Sequence, residues 1–77
     1  MFRNLTDIVF DTRFKITVME DIIDINNYED ILIFDDDKVL IKAKDKTIKV
    51  IGSSLIITRL LNKEVLIEGK IKSIELE

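Results

Sequence analysis

The sequence predicts an all-β protein, a single small domain of about seven to eight short, mostly antiparallel strands arranged as a roll or a sandwich. Three observations support this fold class. Short runs rich in Ile and Val recur at a spacing of roughly eight to ten residues, polar residues that favour turns separate these runs, and no helical periodicity is sustained after Phe14. A short β-solenoid is the alternative arrangement of the same strands.

The predicted strands follow one another along most of the chain. Their β-branched side chains favour the pleated strand over the helix. In chain order the runs are "RFKITV", "DIIDIN", "DILIF", "KVLIK", "TIKVI", "SLIIT", "EVLIE" and "IKSIEL". The connections between most of them are too short for a parallel crossover, so consecutive strands should pair antiparallel.

Short polar breaks are predicted to connect the strands. The breaks are Asp35–Asp37, Lys44–Lys46, Gly52–Ser54 and Leu61–Lys63. Most of their residues turn well because their side chains bond to nearby backbone. Gly52 is predicted to form a turn or a bulge, since glycine tolerates a positive φ, and we assign the same structural role to Gly69.

The length of 77 residues predicts one domain spanning 1–77, with residues 1–13 as a loosely ordered leader because the β pattern is poorer there. The start has no apolar signal segment, and no run approaches the roughly 20 apolar residues that span a bilayer. We therefore expect a cytoplasmic protein without direct membrane insertion. A domain this small buries a limited core, so a homo-oligomer is also expected.

The residue inventory argues against catalysis and against bound metals or cofactors. The run Asp35–Asp37 lacks the alternating carboxylates and the central glycine of a calcium loop, so it is interpreted as a solvated hairpin turn. The chain has no Cys and no His, which removes the common nucleophile and base pairs and leaves Ser53, Ser54 or Ser73 with a lysine partner as the only serine options. We predict a non-enzymatic protein with no cofactor.

The charge distribution gives little support for nucleic-acid binding. The net charge is −3, and a protein that binds a polyanion usually carries a basic surface. A strip formed by Lys42, Lys44, Lys46 and Lys49 is the exception, but Asp45 interrupts it. A small ligand-binding or nucleic-acid-binding β-barrel that uses these lysines is the alternative function.

The strands alternate incompletely, because several carry one aliphatic residue out of phase. These residues are Leu40, Ile51, Ile56 and Leu66. One explanation is that the sheet folds over itself, so that both faces are partly covered. The other is that the four residues form a second apolar surface that docks a partner or another copy of the chain, as contiguous exposed apolar patches commonly do.

From Gly52 onward the sequence resembles the YabP/YqfC family of sporulation proteins from endospore-forming bacteria. The family pattern is an aliphatic strand, a Gly, a Leu and a second aliphatic residue, then an Ile-x-Gly-x-Ile step and a closing strand. The matching positions are Gly52, Leu55, Ile57, Leu60, Ile67, Gly69, Ile71 and Ile74. Upstream, Ile25, Asn26, Ile31, Phe34, Asp35 and Val39 also fit. The segment "LTDIVFDTRFKITV" looks more like the YqfC branch.

This resemblance implies a non-enzymatic protein made during sporulation that supports assembly of the spore envelope, cortex or coat. It also implies a protein partner, a membrane-associated protein of the YqfD type, and a location at the forespore envelope. The resemblance carries over no catalytic residue. The resulting hypothesis is an interaction module that self-associates or docks through strand edges or through the out-of-phase aliphatic residues.

Overall fold

The computed structural model describes residues 13–77, which form one antiparallel sheet of six strands. The strands are β1 (Lys15–Met19), β2 (Ile22–Asn26), β3 (Asp30–Phe34), β4 (Lys38–Lys42), β5 (Thr47–Leu60) and β6 (Glu64–Leu76). Their order across the sheet is β1-β2-β6-β5-β4-β3. The predicted all-β fold is confirmed, and the antiparallel pairing excludes the parallel coils of a β-solenoid for these residues. The predicted leader lies mostly outside the described residues.

The strand count is lower than predicted because two pairs of predicted strands are each one long strand. "TIKVI" and "SLIIT" are both part of β5, which has 14 residues, and "EVLIE" and "IKSIEL" are both part of β6, which has 13. The Gly52–Ser54 break between the first two is therefore not a hairpin turn. The pairing of β5 with β6 continues past it.

Bulges bend these two long strands near their middles. The register between β5 and β6 shifts between Ile51 and Gly52 and again between Ser53 and Ile56. Ser54 has φ 54° and Gly69 has φ 148°. Because a bulge kinks its strand and increases the twist, the sheet divides into two layers. The β3–β4 layer contains β3, β4, the first half of β5 and the second half of β6; the β1–β2 layer contains the other four segments.

The two layers pack their apolar sides into one core. The fully buried side chains, which come from both layers and from the bend, belong to a single cluster: Ile23, Ile25, Val39, Ile41, Ile48, Val50, Leu55, Val65 and Ile67. Among residues 13–77 no polar or charged side chain is buried. The sheet therefore folds over itself, as one of the two sequence interpretations proposed, and each layer keeps one side toward solvent.

The tips of two hairpins hold the bend in place. The backbone N–H of Gly52 donates to the carbonyl of Asp37 at 3.1 Å, and that of Leu55 donates to the carbonyl of Asp36 at 2.8 Å. On the other layer, the N–H of Gly69 donates to the carbonyl of Asp21 at 3.1 Å. The aspartate run is thus a turn, and its backbone oxygens satisfy amides that the bulge removes from the ladder.

The connection from β2 to β3 carries the chain from one layer to the other. Asn27 adopts a left-handed conformation with φ 65°, which asparagine tolerates better than most residues. Its backbone N–H donates to the carbonyl of Lys63 at 2.6 Å. Tyr28 is buried, and its hydroxyl lies 3.4 Å from the carbonyl of Leu61. This crossing places β3 beside β4 rather than beside β2.

Across residues 13–77 the structure contains no helix long and apolar enough to cross a bilayer.

Candidate interaction surface

The two ends of the sheet are open edges, and among the described residues the second halves of β5 and β6 are also open on one side, because β4 pairs only with residues 47–51 and β2 only with residues 64–68. β3 pairs with β4 and β1 pairs with β2, and within residues 13–77 no strand pairs with the other side of either one. An edge strand presents a row of backbone N–H and C=O groups that a further strand can use. Soluble proteins usually protect such edges with lysine, proline or a covering segment, so the side chains on each edge decide what it can bind.

The β3 edge is strongly apolar. Leu32 and Phe34 are each 47% exposed and Ile33 is 36% exposed, although they are consecutive in the chain. A register shift between Ile31 and Ile33 explains this exposure, because it leaves Leu32 without a partner on β4. Ile31 lies opposite the buried Ile41, whereas Ile33 lies opposite Leu40 on the solvent side of the layer. We refer to Leu32, Ile33 and Phe34 as the β3 edge surface.

Carboxylates flank the β3 edge surface at both ends. Asp30 begins the strand, and the exposed run Asp35–Asp37 follows it. Glu29, just before the strand, forms an ion pair with Lys42 at 3.1 Å, and both side chains are about half exposed. The ends of this edge therefore carry negative charge, while its centre is apolar.

The opposite edge, β1, has a different character. Val18 is 57% exposed and Met19 is 46% exposed, so the second half of the strand is apolar. The first half carries Lys15, with Arg13 just before it, and both are exposed. β1 is therefore flanked by basic residues at one end and by the exposed Glu20 and Asp21 at the other, whereas β3 is flanked by acidic residues at both ends.

The four out-of-phase aliphatic residues do not form one continuous surface. Leu40 and Ile51 lie on the solvent side of the β3–β4 layer, where Leu40 is opposite Lys49 and Ile51 is opposite Lys38. The other two lie on the β1–β2 layer, where Ile56 is opposite Glu68 and Leu66 is opposite Asp24 and Arg59. The bend directs these two solvent sides away from each other, because the opposite sides of the layers share the core.

Leu40 has a neighbour that the sequence interpretation did not include. It lies directly across from Ile33 and is partly buried, so it adjoins the β3 edge surface. Ile56 is exposed, whereas Ile51 and Leu66 are partly covered. The pair on the β3–β4 layer therefore belongs with the β3 edge, and the other pair is separate from it.

Gly52 and Gly69 both lie at the bend, on either side of Leu55. A Cβ on Gly52 would overlap the carbonyl oxygen of Lys70, and a Cβ on Gly69 would lie 2.7 Å from the carbonyl oxygen of Ser54. Both would also approach a Leu55 methyl group within about 3.1 Å. The bend thus needs two positions without a side chain, at which β5 and β6 approach each other closely.

The lysine strip is broken up in the fold. Lys42 is paired with Glu29, and Lys49 lies opposite Glu75 in the register between β5 and β6. Lys44 and Lys46 belong to the exposed turn between β4 and β5, on either side of Asp45. These lysines therefore do not form an unopposed basic surface of the kind that tracks a phosphate backbone.

A carboxylate pair that the sequence could not reveal lies on the β1–β2 layer. A hydrogen bond with Asp24 raises the pKa of Glu64 above its ordinary value of 4.5, with some desolvation and the Asp24 charge acting in the same direction. Arg59, 4.0 Å from Glu64, and Lys15 act against this shift. The amide of Asn26 also donates to Asp24 at 3.3 Å. The described residues contain no group of three or more side chains that could hold a metal ion.

Comparison with known proteins identifies the family. No curated protein and no solved structure matches the chain. The model of the YabP family matches residues 11–77, which is most of the 77-residue chain and includes all six strands. The chain therefore belongs to the YabP family and is a sporulation-related protein, in agreement with the resemblance carried by Gly52, Leu55 and Gly69.

Proposed function

We propose that this protein is a non-enzymatic interaction module of endospore formation that supports assembly of the spore envelope, cortex or coat. Another protein docks along β3, and a segment of that protein adds a strand to the sheet. The family supplies the cellular process. The β3 edge surface supplies the mode of action.

The observation that carries this proposal is the combination of an open edge with three consecutive exposed apolar side chains. When a strand is added to a sheet edge, main-chain hydrogen bonds provide affinity and the side chains above and below provide specificity. Leu32, Ile33 and Phe34 offer apolar contacts for such a strand. The strand itself, "DILIF", contains neither the lysine nor the proline that commonly blunts an edge.

The partner proposed from the family resemblance is a membrane-associated protein of the YqfD type. The site of action is then the cytoplasmic side of the membranes that surround the forespore. An extended segment with apolar side chains would suit the centre of β3, and basic residues beside it would suit Asp30 and Asp35. The alternative function, binding of nucleic acid or a small ligand through the lysines, receives no support from their positions, because Glu29 and Glu75 oppose two of them.

Gene deletion with complementation in an endospore-forming host tests this proposal. Wild-type protein should restore heat-resistant spores, whereas Leu32→Lys should not, because a charged head group on the edge opposes docking of an apolar strand. Leu61→Lys is the matched control, since Leu61 is 54% exposed but lies in the turn between β5 and β6 and not on a strand edge. Thermal unfolding of both purified variants verifies that they fold. Equal spore counts from the two variants would contradict the proposal.

A further inference from the structure

We infer that the β3 edge accepts β1 of a second copy of this chain, so that copies join head to tail. The inference rests on the proposed function, since it requires β3 to be the docking strand, and it names the occupant. Its grounds are the directions of the two edge strands, the match of their side chains in register, and the complementary charges at one end of each.

The topology makes this junction a continuation of the existing ladder. Every neighbouring pair in the sheet is antiparallel and the number of strands is even, so β1 and β3 run in opposite directions. A second copy whose β1–β2 layer continues the β3–β4 layer, with the core sides of both facing the same way, would place its β1 antiparallel to β3. No strand has to reverse, and antiparallel pairing is the arrangement the rest of the sheet already uses.

In one register of β1 against β3, core-side residues lie opposite core-side residues and solvent-side residues lie opposite solvent-side residues. In it, the residues of β1 and β3 lie opposite each other as Lys15 with Asp35, Ile16 with Phe34, Thr17 with Ile33, Val18 with Ile31 and Met19 with Asp30. Ile16 and Val18 are opposite Ile25 and Ile23 within their own copy, so they extend the core side. The extra residue at Leu32, which shifts the register against β4, produces the same shift against β1 and keeps core-side residues together.

Charge at the Lys15 end and coverage of the apolar edge favour this junction over the two symmetric ones, while at the other end Glu20 would face Glu29, which already pairs with Lys42. Lys15 of the second copy would lie opposite Asp35 and close to Asp36, where opposite charges across a strand pair are stabilising. A β3–β3 junction would instead bring Asp30 of each copy toward the aspartate run of the other. A β1–β1 junction would leave Leu32, Ile33 and Phe34 exposed.

The consequence is an open-ended assembly. A head-to-tail interface leaves one unused β1 and one unused β3 after each addition, and it produces a ring only if the rotation closes. A protein that extends in this way can cover a surface with copies of one small chain. The same β3 at the growing end remains available to a different partner.

Engineered disulfides distinguish the possible junctions, and the chain has no native cysteine to interfere. Thr17 and Ile33 both lie on the solvent side of their layers, opposite Asp24 and Leu40. On mild oxidation, a mixture of Thr17→Cys and Ile33→Cys proteins should form a disulfide-linked dimer. A mixture of Thr17→Cys with Ser53→Cys, at the bend, is the control and should not.

Each other outcome overturns the inference. A dimer from Thr17→Cys alone would identify a β1–β1 junction, and one from Ile33→Cys alone would identify a β3–β3 junction. Absence of any dimer at millimolar protein would show that copies do not join through these edges. If Leu32→Lys still abolished spore formation in that case, the proposed function would stand with a different occupant of β3.

Charge reversal provides an independent measurement. By sedimentation velocity, Lys15→Asp or Asp35→Lys should raise the protein concentration needed for assembly by about tenfold, since like charges would then face each other. The double variant with both reversals should assemble near the wild-type concentration. Double reversal that fails to restore assembly, with all variants folded by thermal unfolding, would contradict the assigned register.

Discussion

Replacing Gly52 by alanine should destabilise the fold by an amount that tests the account of the bend. A Cβ at this position would overlap the carbonyl oxygen of Lys70, which is a backbone atom of β6 and cannot rotate away. It would also press on a methyl group of the buried Leu55 at 3.1 Å. The substitution therefore requires β5 and β6 to separate where the bulge holds them closest.

The expected loss of stability depends on which atoms the new Cβ displaces. Forcing extra atoms into a packed interior typically costs about 1 to 3 kcal/mol, and displacement of a backbone strand places this case at the upper end, at about 2 to 4 kcal/mol. A chain of this length has a total stability of about 4 to 12 kcal/mol. With about 4 to 8 °C of Tm per kcal/mol for a domain of this size, the melting temperature should fall by about 10 to 30 °C.

Thermal unfolding followed by far-ultraviolet circular dichroism measures this shift. Ser53→Ala is the matched control, because it is the adjacent residue on the same bulge and its side chain is exposed; its effect should stay within about 0.5 kcal/mol. A Gly52→Ala protein that melts within about 2 °C of the wild type would refute the reasoning. It would mean that β5 and β6 do not approach each other at this point.

Two further predictions concern the core and the carboxylate pair. Leu55→Ala should cost about 2 to 5 kcal/mol in chemical denaturation, since Leu55 is 1% exposed and lies between the two layers, whereas Ile56→Ala, at an exposed neighbour, should cost less than about 1 kcal/mol; equal effects would contradict the placement of these residues. Because the pKa of Glu64 is raised in the folded state, its protonated form favours folding, and this contribution is lost as the pH rises above 4.5 through the folded-state pKa. The stability of the wild type relative to Glu64→Gln should therefore fall between about pH 4 and pH 7, and a relative stability that rises over that range would disprove the shift.

The sequence predicted the fold class and the bend glycines more readily than the strand boundaries. Hairpin turns and β-bulges use the same residue types, Gly and Ser flanked by β-branched residues, so the local sequence does not distinguish them. At Gly52–Ser54 the two possibilities differ in the pairing of β5 with β6, which joins residues such as Ile51 and Ser73 that are far apart in the chain. The local sequence pattern therefore predicts two strands where the structure has one bent strand.

The docking surface was less accessible to sequence reasoning, for two physical reasons. The run "DILIF" has the composition of a buried strand, and its edge position follows from the crossing between β2 and β3 at Asn27 and Tyr28, which is a long-range packing result. The bulge at Leu32 then reverses the alternation, so that Ile33 faces solvent. Leu40 was selected from its phase alone, and it does adjoin this edge, whereas Ile56 and Leu66 lie on the other layer.

The residues of the family motif have a structural role at the bend. Gly52, Leu55 and Gly69, which carry the resemblance, meet where the two layers join. The glycines allow the strands to approach each other, and Leu55 fills the space between the layers. The motif thus specifies the roll, while the β3 edge surface lies outside this part of the chain.

Site-specific photo-crosslinking in sporulating cells tests the central claim most directly. A photoreactive amino acid placed at Ile33 should give discrete crosslinked products, whose masses distinguish a second copy of the chain from a membrane protein. The same amino acid at Leu61, exposed in the turn between β5 and β6, should give none. The absence of products at Ile33, or the same products from both positions, would contradict the account of β3 as the docking strand.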